Sequence, residues 1–153
     1  MVASWRKYSD LKDSIDFIGV NYYTRIFIKF HPLKIVEERN KKDAVLTDFG
    51  YEYYPEELYE ILLNLKKYEK KILITENGIA DKEDKLRGEF IRKSIDAIKR
   101  AKENGVDVFG YMYWSLMDNF EWLEGYSMKF GLFEVDFKTL ERKPRNSAYI
   151  EIW

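Results

Sequence analysis

The sequence predicts an α/β fold with parallel strands, and three observations support this prediction. Apolar strand patterns alternate with helical patterns in the order strand, helix, strand, helix, strand, which is typical of parallel strands joined by crossover helices. The chain has 153 residues, 46% of them hydrophobic, which is enough for one buried core. Its 8 glycines and 3 prolines are too sparse to indicate a linker. We therefore expect residues 1–153 to form a single domain.

The first predicted strand starts near Phe17. Residues 17–20 are continuously apolar, a pattern typical of a strand that is buried on both faces. Residues 31–50 are polar and irregular, with a dense run of charges at their centre, so they predict a surface loop.

Two predicted helices separate the next two strands. Pro55 opens the first helix, and two acids follow it in the first turn, where the helix dipole favours negative charge. A short buried strand is predicted at residues 72–74, a second helix at about 86–104 and a third strand at 106–114. Gly105 is expected to end the second helix as a left-handed cap. The residues expected to face the core are Leu58, Ile61, Leu62 and Leu65 in the first helix and Phe90, Ile91, Ile95, Ile98 and Ala101 in the second.

The remainder of the chain predicts two smaller elements. Residues 131–142 have the pattern of a hairpin that turns near residues 138–139. Residues 144–153 predict the first turns of a last helix.

Composition argues against several classes of protein. A net charge of −1 is unlike a nucleic-acid binder that relies on phosphate neutralisation, and no run of about 18 apolar residues predicts a membrane span. The chain has no cysteine, and its single histidine, His31, lies in a predicted loop, so we expect neither a metal site nor a cofactor. The N-terminus lacks an apolar leader, which together with the absence of cysteine predicts a cytoplasmic protein. Abundant lysine and glutamate without cysteine is a tendency of thermophile proteins.

A glutamate stands where the second predicted strand ends. In parallel α/β folds, functional residues lie at the carboxyl ends of the strands. Glu76 is in that position, while Asn21 and Tyr23 share one face at the end of the first strand. A carboxylate placed there can attack the anomeric carbon of a sugar, with a tyrosine hydroxyl holding its charge and position. A helix-capping or ion-paired glutamate and an ordinary core tyrosine are the alternatives.

Two tryptophans flank an acid after the third predicted strand. Trp114 and Trp122 can stack on sugar rings, and Glu121 can accept hydrogen bonds from sugar hydroxyls, although core packing is the alternative for the tryptophans. Asp118 and Asn119 are expected to shape the loop rather than to touch a ligand. Because all three strands run the same way, we expect the side chains at positions 23, 76, 114 and 121 to surround one hollow.

Several motifs resemble those of the family 1 β-glycosidases. Ile-Thr-Glu-Asn-Gly at residues 74–78 and Tyr-Trp-Ser-Leu-Met-Asp-Asn-Phe-Glu-Trp at residues 113–122 are similar to two C-terminal motifs of that family. Gly-Val-Asn-Tyr-Tyr-Thr at residues 19–24 is similar to a third, and Lys-Phe-Gly-Leu and Lys-Pro-Arg-Asn-Ser-Ala to its closing segment. The resemblance runs from about residue 14 to near the end, and it is strongest to the archaeal branch.

The resemblance implies a retaining β-glycosidase with an eight-stranded β/α TIM barrel, of which this chain would be the last three units, strands six to eight. It implies that Glu76 is the nucleophile, with Tyr23 and Asn21 beside it. It also implies four substrate contacts: Trp114 as the platform under the sugar, Glu121 at the 4- and 6-hydroxyls, Trp122 at the 3-hydroxyl and Phe130 as a wall. A carboxylate at position 121 would repel a phosphate, so neutral β-glucosides and β-galactosides are the implied substrates.

The sequence also departs from the family pattern. The general acid/base glutamate of an Asn-Glu-Pro stretch, and the glutamine, histidine and arginine of the early strands, have no counterpart here, and the family continues past residue 153 with a longer helix. We therefore expect the chain alone to be a poor hydrolase, since loss of acid–base catalysis costs roughly 10²–10⁴-fold. Three strands leave two open sheet edges, which invite pairing. The expected outcomes are a complementary N-terminal barrel half, self-association, or a truncated product of marginal stability.

Two other interpretations stay open on the sequence. A non-catalytic carbohydrate-binding or interaction module could use the face that carries Trp114, Glu121 and Trp122. A relic of a broken gene would have no function.

Overall fold

The computed structural model describes residues 14–31, 34–38 and 43–151. Its elements follow in the order β1 (Phe17–Tyr22), β2 (Phe27–His31), β3 (Lys34–Glu38), α1 (Glu57–Leu65), β4 (Lys71–Asn77), α2 (Arg87–Glu103), β5 (Val108–Tyr113), β6 (Phe133–Val135) and β7 (Arg142–Pro144). β1, β4 and β5 form a parallel sheet in that order, with α1 preceding β4 and α2 preceding β5. The predicted alternation of parallel strands and helices is confirmed.

The core lies between one face of this sheet and the two helices. Helix residues spaced three or four apart share one face, so the apolar stripes of α1 and α2 pack against the same side of the strands. Ile61, Leu65 and Ile95 are only partly buried at the margin of this core. Its buried members are Val20, Tyr22, Leu58, Leu62, Ile72, Ile74, Ala97, Ile98, Ala101, Val106 and Val108.

The opposite face of the sheet is open in the described part of the chain. Val20 and Tyr22 of β1 are buried, whereas Phe17, Gly19 and Asn21 on the other face are exposed. The ring of Phe17 packs edge-on against Phe109, with centroids 5.5 Å apart, and both rings remain about half exposed. The prediction that β1 is buried on both faces was therefore wrong, because the helices cover one face only.

A hairpin occupies part of the segment that was expected to be a loop. β2 and β3 pair antiparallel, so the loop prediction for residues 31–50 was wrong over β3. The two β-branched residues within β3, an isoleucine and a valine, favour a strand, and the charges around them obscured this pattern. Part of that charge run, residues 39–42, lies outside the described residues.

The predicted ends of the helices are largely confirmed. α1 follows Pro55, whose carbonyl accepts a hydrogen bond from the amide of Leu58 at 3.2 Å. α2 ends before Gly105, which has the left-handed φ of +79° that favours glycine. The hairpin of β6 and β7 is also confirmed. The predicted last helix was wrong over the described residues, which contain one short 3₁₀ turn at Asn146–Tyr149 and then an extended Ile150.

Neither helix in the described part of the chain has the length and apolarity that crossing a membrane requires.

Candidate active site

The carboxyl ends of β1 and β4 bring a tyrosine onto a glutamate. In the β1–β4 pairing, Asn21 lies opposite Glu76. The register shifts between Val20 and Asn21, which changes the direction of the side chains at the end of β1. Tyr23 follows β1 directly, and its hydroxyl donates a hydrogen bond of 2.7 Å to Oε2 of Glu76. Burial, and then this hydrogen bond, raise the pKa of Tyr23 well above its usual value of 10. The phenol therefore stays protonated at neutral pH and remains a donor to the carboxylate.

Asn21 lies beside this pair, but its hydrogen bond goes elsewhere. Its Oδ1 accepts a bond of 2.5 Å from the hydroxyl of Thr75, the residue before Glu76. Asn21 is exposed, and it is not among the residues that line the hollow next to Glu76. The structure thus places Asn21 next to the strand of Glu76 and gives it no hydrogen bond to the Glu76 carboxylate.

A hollow of about 290 Å³ opens in front of the Glu76 carboxylate. This is near the lower end of the range for small-molecule sites. Six of the seven residues that the sequence singled out line it. The full lining is Tyr23, Phe49, Tyr51, Glu76, Trp114, Glu121, Trp122 and Phe130.

Phe49 and Tyr51 are the two wall residues that the sequence analysis missed. Their rings lie 4.5 Å apart, and Phe49 also packs against Phe130 at 6.0 Å. The amide of Asp48 binds the carbonyl of Ala80 at 3.0 Å, which fixes this segment beside the end of β4. The two aromatic residues around Gly50 were the available signal, but Phe49 lies within residues 31–50, which were predicted to be an irregular loop, and Tyr51 directly follows them.

Close backbone contact fixes the tryptophan at the end of β5. The amide of Trp114 donates to the carbonyl of Asn77 at 3.0 Å, and a cis peptide bond joins Trp114 to Ser115. A Cβ added at Gly78 would lie 1.8 Å from the carbonyl oxygen of Trp114. Only glycine fits there, so the glycine of the Ile-Thr-Glu-Asn-Gly motif allows the ends of β4 and β5 to approach one another.

A buried ion pair holds the loop that follows Trp114. The two terminal nitrogens of the Arg145 guanidinium, Nη1 and Nη2, donate to the Asp118 carboxylate at 3.0 and 2.9 Å, and the Asp118 side chain is fully buried. Oδ1 of Asp118 also accepts from the amide of Gly131 at 3.0 Å, next to the wall residue Phe130. Asp118 therefore shapes the loop, as its position in the sequence predicted.

A second buried arginine, Arg87, supports the backbone next to the wall residue Phe130. Arg87 is fully buried, forms an ion pair with Asp84 and donates to the carbonyl of Lys129 at 2.8 Å. Its Nε donates at 3.1 Å to the hydroxyl of Tyr113, which in turn donates at 3.2 Å to the carbonyl of Phe130. Burial raises the pKa of Tyr113 to about 12, against the lowering effect of Arg87. This network fixes the backbone on both sides of the peptide that carries Phe130.

Charged residues of the described ranges do not assemble into a metal site: among them no group of three or more histidine, aspartate or glutamate side chains is placed to hold an ion. The groups that line the hollow are a carboxylate with a phenol donor, a second acid and aromatic walls.

Comparison with known proteins places this geometry in a family. Residues 4–151 match the sequence profile of glycosyl hydrolase family 1. The chain belongs to that family. A β-galactosidase of Saccharolobus solfataricus is 40% identical over 153 residues, which is 92% of this chain and 31% of that protein.

Solved structures agree with this assignment. The β-glucosidase of Thermotoga maritima in complex with glucoimidazole superposes with a TM-score of 0.84 at 37% identity, over 92% of this chain and 34% of that one. A hyperthermophilic β-glucosidase mutant superposes with a TM-score of 0.85 at 38% identity, over 95% of this chain and 36% of that one. The chain spans about a third of the length of these relatives. Its parallel sheet is therefore part of a β/α barrel. Its thermophile-like composition fits its similarity to proteins of Saccharolobus solfataricus and Thermotoga maritima.

Proposed function

We propose that this chain supplies the nucleophile side of the pocket of a retaining β-glycosidase that hydrolyses neutral β-glucosides and β-galactosides. One observation carries the proposal: the Tyr23 hydroxyl holds Oε2 of Glu76 at 2.7 Å, within a hollow that Trp114 and Glu121 also line. A covalent glycosyl intermediate requires a positioned carboxylate nucleophile, and here the phenol donor holds that carboxylate in place beside an aromatic wall.

In this mechanism Glu76 attacks the anomeric carbon as the bond to the aglycone oxygen breaks. Tyr23 donates to one carboxylate oxygen, so the other is the oxygen that forms the ester to the sugar. The departing oxygen takes a proton from a general acid that this sequence does not carry in the family's Asn-Glu-Pro form. The same group, then acting as a base, activates the water that releases the sugar with its configuration retained.

The remaining lining residues bind the sugar in this proposal. Trp114 lies under the ring, Phe130 forms a wall, and Trp122 reaches the 3-hydroxyl. Glu121 accepts hydrogen bonds from the 4- and 6-hydroxyls, and Asn21 supports the strand end beside the nucleophile. A sugar phosphorylated on its 6-hydroxyl would place a second negative charge against Glu121, so the substrates are neutral.

The pocket needs further barrel strands to be complete. β1 and β5 are the two edges of the described sheet, and Phe17 and Phe109 expose about half of their surface on its uncovered face. The chain spans about a third of its relatives, and its motifs resemble the C-terminal motifs of the family, so we propose that its three strands are strands six to eight of the barrel. A complementary N-terminal portion covers this face and brings the general acid; pairing between copies of this chain is the competing outcome.

The experiment that tests the proposal is labelling by a 2-deoxy-2-fluoro-β-glucoside with a good leaving group. The reagent is added to the chain together with the N-terminal two thirds of a family relative, and the labelled peptide is identified by mass spectrometry. We expect one covalent adduct on Glu76, none with Glu76→Gln, and full labelling with Glu60→Gln, which alters an exposed glutamate of α1.

Two results would contradict the proposal. An adduct on another residue would move the nucleophile away from Glu76. Saturable binding of a β-glucoside, followed by tryptophan fluorescence, without labelling or hydrolysis by the completed barrel would favour a non-catalytic carbohydrate-binding module instead.

A further inference from the structure

The side-chain amide of Asn119 makes three hydrogen bonds, one of them to the Glu121 carboxylate. Its Nδ2 lies 2.9 Å from Oε2 of Glu121 and 3.2 Å from the carbonyl oxygen of Phe120. Its Oδ1 lies 3.2 Å from the hydroxyl of Ser115. The amide has two N–H donors and one carbonyl acceptor, and these three contacts use each of them.

The chemistry of the partners fixes which way the amide points. An ionised carboxylate can only accept hydrogen bonds, so the atom of Asn119 that faces Glu121 must be the nitrogen. If the amide were reversed, its oxygen would face the carboxylate oxygen, and two acceptors would lie in contact. The orientation is therefore required by Glu121.

Ser115, which contacts Oδ1 of Asn119, is held in place by further hydrogen bonds. Ser115 is buried and directly follows Trp114, the aromatic residue of the hollow. The Ser115 hydroxyl shares its one proton between the carbonyl of Met117, at 2.7 Å, and Oδ1 of Asn119, at 3.2 Å. The backbone carbonyl of Ser115 accepts from the amide of Leu132 at 2.9 Å. Asn119 thus connects a fixed point beside Trp114 to the carboxylate of Glu121.

We propose that Asn119 is a positioning residue that sets Glu121 for its contact with sugar hydroxyls. Its N–H occupies Oε2 of Glu121, and among the described residues Oε1 has no hydrogen bond, so Oε1 is the oxygen presented to the ligand. Among the described residues, the bond from Asn119 is the one side-chain hydrogen bond to the Glu121 carboxylate, so it is the contact that limits rotation of this acid. Asn119 therefore determines selectivity for the hydroxyls that Glu121 holds.

This inference rests on the proposed function, so its first test does not use a sugar. In the ¹⁵N–¹H spectrum of the whole chain, the side-chain amide of Asn119 is assigned by its loss in Asn119→Ala. We expect Glu121→Gln to shift both amide protons, because their charged acceptor is replaced by a neutral one. Asn64→Ala, which removes an exposed asparagine of α1, is expected to leave them in place. If the chemical shifts of the Asn119 amide protons are unchanged in Glu121→Gln, the inference is wrong.

The second test measures ligand selectivity in the completed barrel. Methyl β-glucoside and its 4-deoxy and 6-deoxy analogues are titrated while tryptophan fluorescence is followed. We expect Asn119→Ala to weaken binding of the parent sugar about tenfold, the size of a lost charge-assisted hydrogen bond. We expect a smaller loss for each deoxy analogue, because each lacks one of the two hydroxyls that Glu121 holds. Asn119→Asp, which has the same size, is expected to be at least as weak, because a second carboxylate then faces Oε2.

The two tests separate the inference from the proposed function. Equal loss for all three sugars, or none for any of them, would show that Asn119 does not act through Glu121. If the unaltered protein binds no glucoside, the proposed function fails, and the amide spectrum alone decides whether Asn119 holds Glu121.

Discussion

The hydroxyl of Tyr23 lies 2.7 Å from Oε2 of Glu76, and the two residues are 53 positions apart in the chain. Their contact depends on the parallel pairing of β1 with β4, which brings two strand ends to the same rim. Because burial raises the pKa of the phenol, Tyr23 stays protonated over the physiological pH range and remains a hydrogen-bond donor. The bond therefore orients the Glu76 carboxylate.

Removal of that donor should slow catalysis without unfolding the protein. In the completed barrel we expect Tyr23→Phe to lower kcat/KM about 10- to 100-fold, because a hydrogen bond to a charged group contributes about 1.5–3 kcal/mol. Steady-state hydrolysis of a nitrophenyl β-glucoside measures this effect. Tyr68→Phe, which alters an exposed tyrosine before β4, is the control and should leave kcat/KM unchanged. Equal activity of Tyr23→Phe and the unaltered enzyme would refute the role of the donor.

Gly78 should tolerate no side chain. A Cβ at this position would lie 1.8 Å from the carbonyl oxygen of Trp114, which is backbone and cannot rotate away. We expect Gly78→Ala to cost more than about 3 kcal/mol of unfolding free energy and to disturb the near-ultraviolet signal of Trp114, because the ends of β4 and β5 must separate. Urea unfolding measures the loss.

Gly88→Ala is the matched control for that variant. Its added Cβ would meet the end of the Ile150 side chain at 3.1 Å, which can adjust, and alanine favours the helix. We expect a change within about 0.5 kcal/mol. A similar loss for both variants would show that the Trp114 contact is not the cause.

The sequence was sufficient for the sheet and for most of the pocket, for physical reasons that particular residues illustrate. Short apolar runs and a glycine at position 105 gave the order of strands and helices, because buried parallel strands and helix ends have local patterns. The strand order then predicted that Tyr23, Glu76 and Trp114 gather at one rim, and these side chains line the same hollow.

What the sequence could not supply depends on tertiary contacts. Phe49 and Tyr51 line the hollow because the amide of Asp48 bonds to the carbonyl of Ala80. No local sequence pattern predicts this contact. Asn21 was grouped with the catalytic residues by its spacing from Tyr23 and by the family resemblance, neither of which indicates that its hydrogen bond goes to Thr75. The open face of the sheet was missed for β1, since an apolar run does not reveal which layers cover it.

The buried ion pair of Arg145 and Asp118 should contribute strongly to the unfolding free energy, because it holds the loop that carries Glu121. Arg145→Met leaves a fully buried carboxylate whose one other ion-pair partner among the described residues is Lys129, at 3.8 Å, and it removes the donor to the carbonyl of Gly131. We expect a loss of about 3 kcal/mol or more in urea unfolding, the cost of breaking a buried ion pair.

Arg142→Met provides the comparison, because Arg142 is an exposed arginine of β7, the strand that ends directly before Arg145. It should change the unfolding free energy by about 0.5 kcal/mol or less. A similarly small change for Arg145→Met would mean that Asp118 finds another partner when the arginine is removed.

Tyr53 carries a buried hydroxyl that has no hydrogen-bond partner among the described residues, while its ring packs 5.8 Å from Phe90. Burial raises the pKa of Tyr53 to about 12, so its ionised form is disfavoured in the folded state. The folded protein then holds a proton that the unfolded chain releases near pH 10, and stability that is complete below about pH 10 falls as the pH rises towards 12.

Tyr53→Phe should therefore raise the unfolding free energy at pH 7 by about 1 kcal/mol, because it removes an unsatisfied buried hydroxyl. It should also reduce the loss of stability above about pH 10. Tyr113→Phe is the informative contrast, since that hydroxyl bonds to Arg87 and to the Phe130 carbonyl: it should cost stability at pH 7 while likewise reducing the alkaline loss. Urea unfolding at pH 7 and between pH 9.5 and 12 compares the two variants. Destabilisation by Tyr53→Phe at pH 7 would show that its hydroxyl is bonded after all.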